Sequence, residues 1–519
     1  MGNSIAAQGD KLLRSSLQPP LNGRHATLSD ALKAAAEQFG EREAYVEGAQ
    51  RLSFAAWRQA ADCLAMALTR LGVRKGEVVA LVLESSIDFA ICCMAISRLG
   101  AVISPINPRL GNREVDAILK SCLPVVILTE DEIQLPAGAD AAIVVKRYEF
   151  STWFSELGEV ERTTVDERDA AVIVWTSGTT GLPKGAWFDH NGLRAAIVTA
   201  GVLARPFDRR LVPTPFAHSG YMAKLWEQLA FGITVVITPM PWKAQDMVRL
   251  IAEERIDVAY AVPTQWAKFV EVPDLVTADL SSLRLCVTAS APAPAELVAA
   301  VNSITGAPMI ARYAMTESPS VTGTRPSDAA SVLHRTVGLP QQGVELLVGD
   351  ELGMPVAVGE VGQIRVRSEH MMRGYWGDPE RSFAALTRDG WLISSDRGYL
   401  DNQGNLVLTG RSSDMYIRGG YNIYPIEAEN VLLEHPEVLQ CAVVGVPAPV
   451  IGEIGVAYVV AVHCRQADLG DQLRDWCKQR LTNYKVPDRI EFLDHLPLTV
   501  MMKIDKAALR AMALGGTQG

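Results

Sequence analysis

The stretch from Thr176 to Gly185, TSGTTGLPKG, combines side chains that bind phosphate with a backbone that can approach an anion closely. Its glycines let backbone N–H groups turn toward a common centre, its hydroxyl groups add donors, and Lys184 adds a positive charge. The preceding run, AAVIVW, predicts a buried strand. A surface turn is the alternative interpretation. The common ATPase loop does not fit, because Pro183 precedes the lysine and no hydroxyl residue follows it.

Four further segments place polar groups where an apolar core would exclude them. ARYAMTES follows a predicted strand and puts Thr316 and Glu317 at its end. SSDRGYLD predicts a hairpin that carries Asp396. GRSSDMYIRGGYNIYP begins with Gly and Arg411, and PLTVMMKIDKAAL places Lys503 in a loop near the C-terminus. Each segment alone has a simple structural interpretation, so a chemical role depends on their occurring together and in this order.

Composition excludes several classes of function. The 519 residues are too many for one core, which predicts two or three domains. A net charge of −10 without a long basic run disfavours nucleic acid or an anionic membrane as partner. The cysteines and histidines lack metal-binding spacing, and no apolar run reaches the length of about 18 residues that spans a bilayer. With no signal-peptide core at the N-terminus, we expect a cytoplasmic protein with reduced, buried cysteines.

The elements that must position these residues alternate between helix and strand. TLSDALKAAAEQFG predicts a helix capped by Thr27 or Ser29 and ended by Gly40. VVALVLES, AVISPIN and PVVILTE predict strands, with the helix DFAICCMAISRLG between the first two. TVVITPM, DVAYAVPTQ and LRLCVTAS continue the alternation. The pattern is typical of α/β layers around buried, largely parallel sheets.

The later part of the chain has a different pattern. VELLVGDELGMPVAVGEVGQIRVRS and DRGYLDNQGNLVLTGR predict hairpins, and a smaller α/β unit follows. We therefore expect a large domain over residues 1–411, with mixed sheets and a small β-barrel-like part. Residues 412–413 would be a hinge, and residues 414–519 a small mobile α/β domain that acts as a lid.

Taken together, the five segments closely resemble the acyl-adenylate-forming superfamily of AMP-binding enzymes, in its acyl-CoA synthetase or fatty-acid–CoA ligase branch. The superfamily also contains peptide-synthetase adenylation domains and firefly luciferase, and the resemblance runs from about Thr27 to Leu509. It implies that ATP and a carboxylic acid form acyl-AMP and pyrophosphate, after which the acyl group passes to CoA. ATP, Mg²⁺ and CoA are the implied cofactors and co-substrates, and a homodimer is compatible with it.

The resemblance assigns the nucleotide site residue by residue. Glu317 would hold Mg²⁺ through ATP, since Mg²⁺ prefers oxygen ligands and substrate phosphates, and Thr316 would donate to the α-phosphate. Tyr313 would stack on adenine, while Asp396, an acceptor-only carboxylate, would bind the ribose with help from Arg411. The phosphates of ATP would lie against Thr176, Ser177, Gly178, Thr179, Thr180, Gly181 and Lys184.

The resemblance also implies a moving catalytic group. Lys503 would bridge the incoming carboxylate and the α-phosphate as charge develops, and its distance in sequence requires the small domain to close over the large one. His218 matches a histidine beside the acyl and pantetheine channel of the CoA-forming branch. Gly419 and Gly420 would let CoA approach the backbone. Ser413 stands at the hinge, where the family usually has Asp or Lys.

The acyl pocket departs from the family pattern in its volume and in its charge. Ala314 replaces the usual glycine, which reduces the volume. No aspartate accompanies His218 to pair with the ammonium of an amino acid, which disfavours an amino-acid substrate. Trp226 and Trp266 shorten the pocket further or are simply core residues. We expect a plain short-to-medium, branched or ring-containing acid. The predicted pocket residues are Tyr221, Ala289, Ser290 and Ala314.

Three alternatives remain open at the level of sequence. The acyl acceptor could be an acyl carrier protein, or the enzyme could be a luciferase-like oxygenase acting on its own adenylate. A protein that kept the fold and lost catalysis is the third. Its only support is Met502, which stands where the family has glycine before the catalytic lysine.

Overall fold

A computed structural model describes residues 18–21, 24–155, 163–176, 182–289, 293–411, 414–462, 468–499 and 504–515. The strands are β1 (Glu43–Glu47), β2 (Gln50–Ser53), β3 (Val78–Val82), β4 (Val102–Ile106), β5 (Val126–Thr129), β6 (Ile143–Lys146), β7 (Ala170–Thr176), β8 (Lys184–Asp189), β9 (Arg209–Val212), β10 (Thr234–Ile237), β11 (Val258–Ala261), β12 (Leu285–Ala289), β13 (Met309–Met315), β14 (Ser318–Gly323), β15 (Leu339–Pro340), β16 (Glu345–Gly349), β17 (Gly362–Arg367), β18 (Gly374–Tyr375), β19 (Leu392–Leu400), β20 (Leu406–Arg411), β21 (Tyr416–Arg418), β22 (Tyr421–Ile423), β23 (Val438–Ala448), β24 (Gly452–Ala461) and β25 (Arg489–Phe492).

The α-helices are α1 (Leu28–Phe39), α2 (Phe54–Arg70), α3 (Ile87–Arg98), α4 (Asn112–Cys122), α5 (Arg147–Phe150), α6 (His190–Ala195), α7 (Ser219–Met222), α8 (Leu225–Phe231), α9 (Ala244–Glu253), α10 (Pro263–Val270), α11 (Ala295–Thr305), α12 (Ala330–Arg335), α13 (Pro379–Ala385), α14 (Pro425–Leu433), α15 (Leu469–Lys478) and α16 (Lys506–Gly515). None of these helices combines the length and apolarity needed to cross a bilayer.

Two large sheets form the core of the first four hundred residues. One has nine strands in the order β15-β14-β13-β12-β11-β9-β10-β1-β2, and its central run from β13 to β1 is parallel. The other has seven strands in the order β18-β8-β7-β4-β3-β5-β6. The predicted α/β class with buried, largely parallel sheets is confirmed.

Local sequence signals explain where the core helices begin. The Thr27 side chain accepts a hydrogen bond from the backbone N–H of Asp30, which caps α1 as predicted, and Gly40 follows its last residue. Helix α3 is apolar on all sides because it is buried throughout in the core that also holds α1 and α2. This packing fixes the backbone of the strands that carry the candidate site.

The hairpin-rich region forms a four-stranded antiparallel sheet in the order β16-β17-β19-β20, where a β-barrel-like part was expected. The C-terminal region forms a separate sheet in the order β22-β21-β24-β23, with β25 parallel to β24. Helices α14 and α15 cover this sheet and share with it a hydrophobic core of their own. The small C-terminal α/β unit is therefore confirmed. In the described residues the cysteines are buried and form no disulfide.

Candidate active site

A cavity of about 970 Å³ lies where the three sheets of the large region meet the C-terminal region. Each sheet contributes predicted residues, and the C-terminal region contributes Thr499, Ile504 and Asp505. The described predicted residues that line the cavity are Thr176, Lys184, His218, Tyr221, Ala289, Tyr313, Ala314, Thr316, Glu317, Asp396 and Arg411. Groups that are more than 200 positions apart in the sequence are thus brought to one site.

The predicted ribose carboxylate is held from two sides. Tyr313 Oη donates a 2.6 Å hydrogen bond to one oxygen of Asp396, and Arg411 Nε donates a 3.0 Å bond to the other. Asp396 lies in strand β19 opposite Arg411 of β20 and is only 7% exposed, so the predicted hairpin that carries it is confirmed. Burial and the nearby carboxylate raise the pKa of Tyr313 well above its usual value. The phenol therefore stays a donor.

The predicted metal carboxylate has a partner that the sequence did not reveal. Tyr375 Oη donates a 2.8 Å hydrogen bond to Glu317 Oε1, and Lys184 Nζ lies 5.4 Å from the centre of the Tyr375 ring. Tyr375 lies on the two-residue strand β18, which pairs with β8 just beyond Lys184. One tyrosine therefore connects the loop lysine with the candidate metal ligand. No local sequence spacing marks it.

The end of the phosphate loop is a strand pair. Thr176 at the end of β7 is the antiparallel partner of Lys184 at the start of β8. Thr316 and Glu317 occupy the turn between β13 and β14, as predicted for the exit of a strand. Residues 177–181 lie outside the described residues, so the expected phosphate contacts of Ser177, Gly178, Thr179, Thr180 and Gly181 stay predictions.

The predicted acyl and CoA channel contains a hydrogen-bonded tyrosine. His218 precedes α7, and its Nδ1 accepts a 3.1 Å hydrogen bond from the backbone N–H of Gly220. Tyr221 stacks on Phe216, with ring centres 3.6 Å apart, and its hydroxyl lies 2.7 Å from the Tyr45 hydroxyl. Tyr45 was not anticipated. Tyr221 lines the cavity, and Phe216 and Tyr45 pack against it outside the lining.

Other predicted residues lie elsewhere. Trp226 and Trp266 belong to two hydrophobic cores and do not line the cavity, so their core interpretation holds. Gly419 and Gly420 form the turn between β21 and β22, with φ of +58° and +87°, and they do not line the cavity either.

Four predicted positions, Ser290, Ser413, Met502 and Lys503, lie outside the described residues. The residues that bracket the catalytic loop are described. Leu498 and Ile504 form an antiparallel bridge, and Thr499 and Ile504 line the cavity. Thr499 and Ile504, the described residues on either side of the segment with Lys503, therefore both lie at the site.

A group of charged side chains that the sequence analysis missed lines another part of the cavity, on elements other than the strands of the phosphate loop. We call Arg210, Lys224 and Arg312 the cation cluster; each of them lines the cavity. Glu227 forms an ion pair with Arg210 at 2.7 Å and accepts a 2.7 Å hydrogen bond from Lys224. Although burial opposes ionisation, these two cations lower the pKa of Glu227 to about 2. Three positive charges thus face one carboxylate.

The polar atoms of this group are incompletely paired. Nε of Arg210, Nε of Arg312 and the hydroxyl of Tyr260 are buried without a hydrogen-bond partner among the described residues. Burial lowers the pKa of Arg312 to about 10, and it also lowers the pKa of Lys224 against the opposing effect of Glu227. A buried charge without a partner is costly, so this end of the cavity favours an anion.

Comparison with known proteins gives consistent results over nearly the whole chain. The model of the AMP-binding enzyme family matches residues 32–376, and the model of the AMP-binding enzyme C-terminal domain matches residues 427–503. A feruloyl-CoA synthase from Amycolatopsis sp is 34% identical over 469 residues, covering 89% of this chain and 94% of that protein.

Two further similarities agree with these. An indoleacetate–CoA ligase from Aromatoleum aromaticum is 34% identical over 507 residues, covering 94% of this chain and 96% of that protein. The crystal structure of an anthranilate CoA ligase in complex with anthranoyl-AMP superimposes with a TM-score of 0.87 at 28% identity, covering 96% of this chain and 99% of the other.

Proposed function

This chain belongs to the AMP-binding enzyme family, and on that premise we propose how its residues divide the reaction between two half-reactions. The protein is an acid–CoA ligase that uses ATP and CoA and forms AMP. In the first half-reaction the carboxylate attacks the α-phosphate of ATP and releases pyrophosphate. In the second, the thiol of CoA takes the acyl group and AMP leaves.

In the proposed first half-reaction, the nucleotide lies between the three sheets. Asp396 accepts hydrogen bonds from the ribose hydroxyls, and Arg411 orients this buried carboxylate through its 3.0 Å hydrogen bond. The loop ending at Lys184 receives the phosphates. Glu317 fits an Mg²⁺ ion that is otherwise held by ATP oxygens, since the described residues contain no cluster of three acidic or metal-binding side chains. The bound ion would neutralise phosphate charge.

Lys503 is proposed to stabilise the charge that builds up between the carboxylate and the α-phosphate. The observation that supports this role is the position of Thr499 and Ile504 in the cavity wall, on either side of the catalytic loop. Gly419 and Gly420 lie outside the cavity in the same conformation. We therefore propose that residues 414–519 rotate about the hinge at 412–413 between the two half-reactions.

The primary test measures acid-dependent pyrophosphate release and CoA-dependent thioester formation across short, medium, aromatic and alicyclic acids. Both activities should appear with at least one acid. Replacing CoA by an acyl carrier protein separates the two acceptors. A protein that releases pyrophosphate but forms thioester only on the carrier protein would contradict the assignment of CoA as acceptor.

Measuring the half-reactions separately tests the rotation. Lys503→Ala should lower the rate of adenylate formation by a factor of about 10² to 10³, the loss typical of a missing electrostatic group. The variant should still convert supplied acyl-AMP and CoA to thioester. Gly420→Leu should show the reverse pattern, because a side chain at a φ of +87° is strained and blocks close approach. If Lys503→Ala slows both steps equally in a folded variant, a single closed state serves both.

A further inference from the structure

Two members of the cation cluster, Arg210 and Arg312, belong to a different sheet from the phosphate loop. Arg210, Tyr260, Val287 and Arg312 lie on one face of the nine-stranded sheet, at alternate positions of β9, β11, β12 and β13. In the parallel register Arg312 is level with Ala289, and Arg210 lies four residues lower, about 13 Å along the strands. Lys184 and Thr176 come from the seven-stranded sheet.

The cluster is not balanced by other charges nearby. Asp208, close to Arg210 in sequence, is already paired with Arg284, which also donates to it through Nε at 3.0 Å. Glu227 is shared between Arg210 and Lys224. Arg312 forms no ion pair with a carboxylate of the described residues, although the charge of Glu227 also acts on it. The three cations therefore outnumber the one carboxylate that pairs within the cluster.

The neighbouring backbone leaves room for this arrangement. Gly323 on β14 faces the Arg312 guanidinium, and a Cβ at that position would overlap it. The absence of a side chain at Gly323 leaves space for the Arg312 guanidinium, which lines the cavity. The Arg210 guanidinium lies 5.5 Å from the centre of the Tyr260 ring, which holds it in place without neutralising it.

We propose that the activated acid carries a second carboxylate, at the end remote from the reacting one, and that the cation cluster binds it. The guanidinium of Arg312 offers the planar fork that suits a carboxylate, and Lys224 and Arg210 supply further charge. This proposal rests on the proposed function, because it names the substrate class of the same acyl site. It also gives the Tyr260 hydroxyl a partner, since a phenol can donate to a carboxylate oxygen.

The test compares matched pairs of acids with the wild-type enzyme at saturating ATP, Mg²⁺ and CoA. Each pair has one carbon skeleton and differs only in a second, terminal carboxylate: a linear series from glutarate to dodecanedioate, an alicyclic series and an aromatic series. For at least one skeleton, the kcat/KM of the diacid should exceed that of the monoacid by about tenfold or more. Equal or better use of the monoacid throughout would overturn the proposal.

Variants of the cluster separate charge recognition from damage. Arg312→Met and Lys224→Met should lower kcat/KM for the diacid by about 100-fold, the effect of removing one partner of a buried charge pair, and change the matched monoacid by less than threefold. Arg312→Lys, which keeps the charge, should retain part of the diacid activity. The matched control is Lys268→Met, since Lys268 is exposed and does not line the cavity. It should behave as wild type.

Two other results have distinct meanings. If Arg312→Met raises the KM for ATP by the same factor with every acid, the cluster serves the nucleotide and the proposal is wrong. If the wild-type enzyme releases no pyrophosphate with any acid, the proposed function itself fails. Direct calorimetric binding of the preferred diacid to Lys224→Met gives a second readout should Arg312→Met fold poorly, and unchanged affinity there would also overturn the proposal.

Discussion

The two ends of the cavity differ in how their charges are balanced. At the nucleotide end Asp396 has both Arg411 and Tyr313 as partners, and Glu317 has Tyr375. At the acyl end the cation cluster exceeds its single carboxylate. The carboxylates of the first end already have partners without a ligand, whereas the cations of the second end need a bound anion to balance their charge. Chemistry shared by a family can therefore be built into a stable scaffold, while selection of one acid leaves a visible charge deficit.

The largest expected effect is a loss of activity at the nucleotide end, with no change in stability. Glu317→Ala should lower acid-dependent pyrophosphate release by about 10³-fold or more, because a metal ion contributes several kcal/mol of charge stabilisation. The melting temperature should stay within a few degrees of the wild type. Pyrophosphate release is followed at several Mg²⁺ concentrations.

Tyr375→Phe is the matched control for this carboxylate. It removes only the hydrogen bond to Glu317, so its loss should be about tenfold or less. Near-normal activity of Glu317→Ala at ordinary Mg²⁺ would show that the metal is held elsewhere.

The next largest expected effect is a loss of stability at the acyl end. Glu227→Gln removes the carboxylate that pairs with both Arg210 and Lys224, and it should lower the free energy of unfolding by about 3–5 kcal/mol, as when one partner of a buried ion pair is lost. Urea unfolding measures it.

The control for this loss is Glu253→Gln, which removes a carboxylate with 57% side-chain exposure that pairs with Arg249 on the surface of α9. Its cost should not exceed about 0.5 kcal/mol. A similarly small cost for Glu227→Gln would mean that water or an ion compensates the cluster, and the contrast between the two ends would disappear.

The smallest expected effect concerns Tyr221, which lines the cavity. Tyr221→Phe removes the hydroxyl that lies 2.7 Å from Tyr45, and Tyr45 keeps its 2.8 Å bond to Gln228. The expected loss of unfolding free energy is about 1 kcal/mol. Tyr148→Phe, at an exposed hydroxyl bonded to Glu149, should change it by less. A gain in stability for Tyr221→Phe would show that the two hydroxyls do not stabilise this part of the cavity.

Local pattern predicted much of the fold. Thr27 and Gly40 marked both ends of α1, and apolar runs marked the strands of the two large sheets. The nucleotide end was equally readable, because Lys184, Glu317 and Asp396 each lie within a short segment of distinctive composition. These signals are local, so they can be recognised in the sequence without knowledge of the tertiary structure.

The acyl end could not be predicted in the same way. Arg210 and Arg312 lie on strands about a hundred positions apart, and only the register of four strands places them on one face. One sequence signal was present: Arg312 interrupts the mostly apolar strand MIARYAM, where a buried sheet would exclude a charge. Arg210 gave a weaker signal, because Arg209 precedes it in the strand RRLV. Tyr375 had no such signal, because a two-residue strand is too short to show a period.

The placement of the cation cluster on a parallel sheet has a consequence for the history of such enzymes. The side chains of Arg210 and Arg312 reach the cavity from backbones held by strand pairing on both sides, so a point mutation at either position alters one wall and leaves the strands in place. Single mutations can then change which acid an enzyme of this kind accepts, while the residues of its nucleotide site stay the same. Substrate range becomes the part of the molecule that drifts, and laboratory evolution toward a new acid would begin at these two positions.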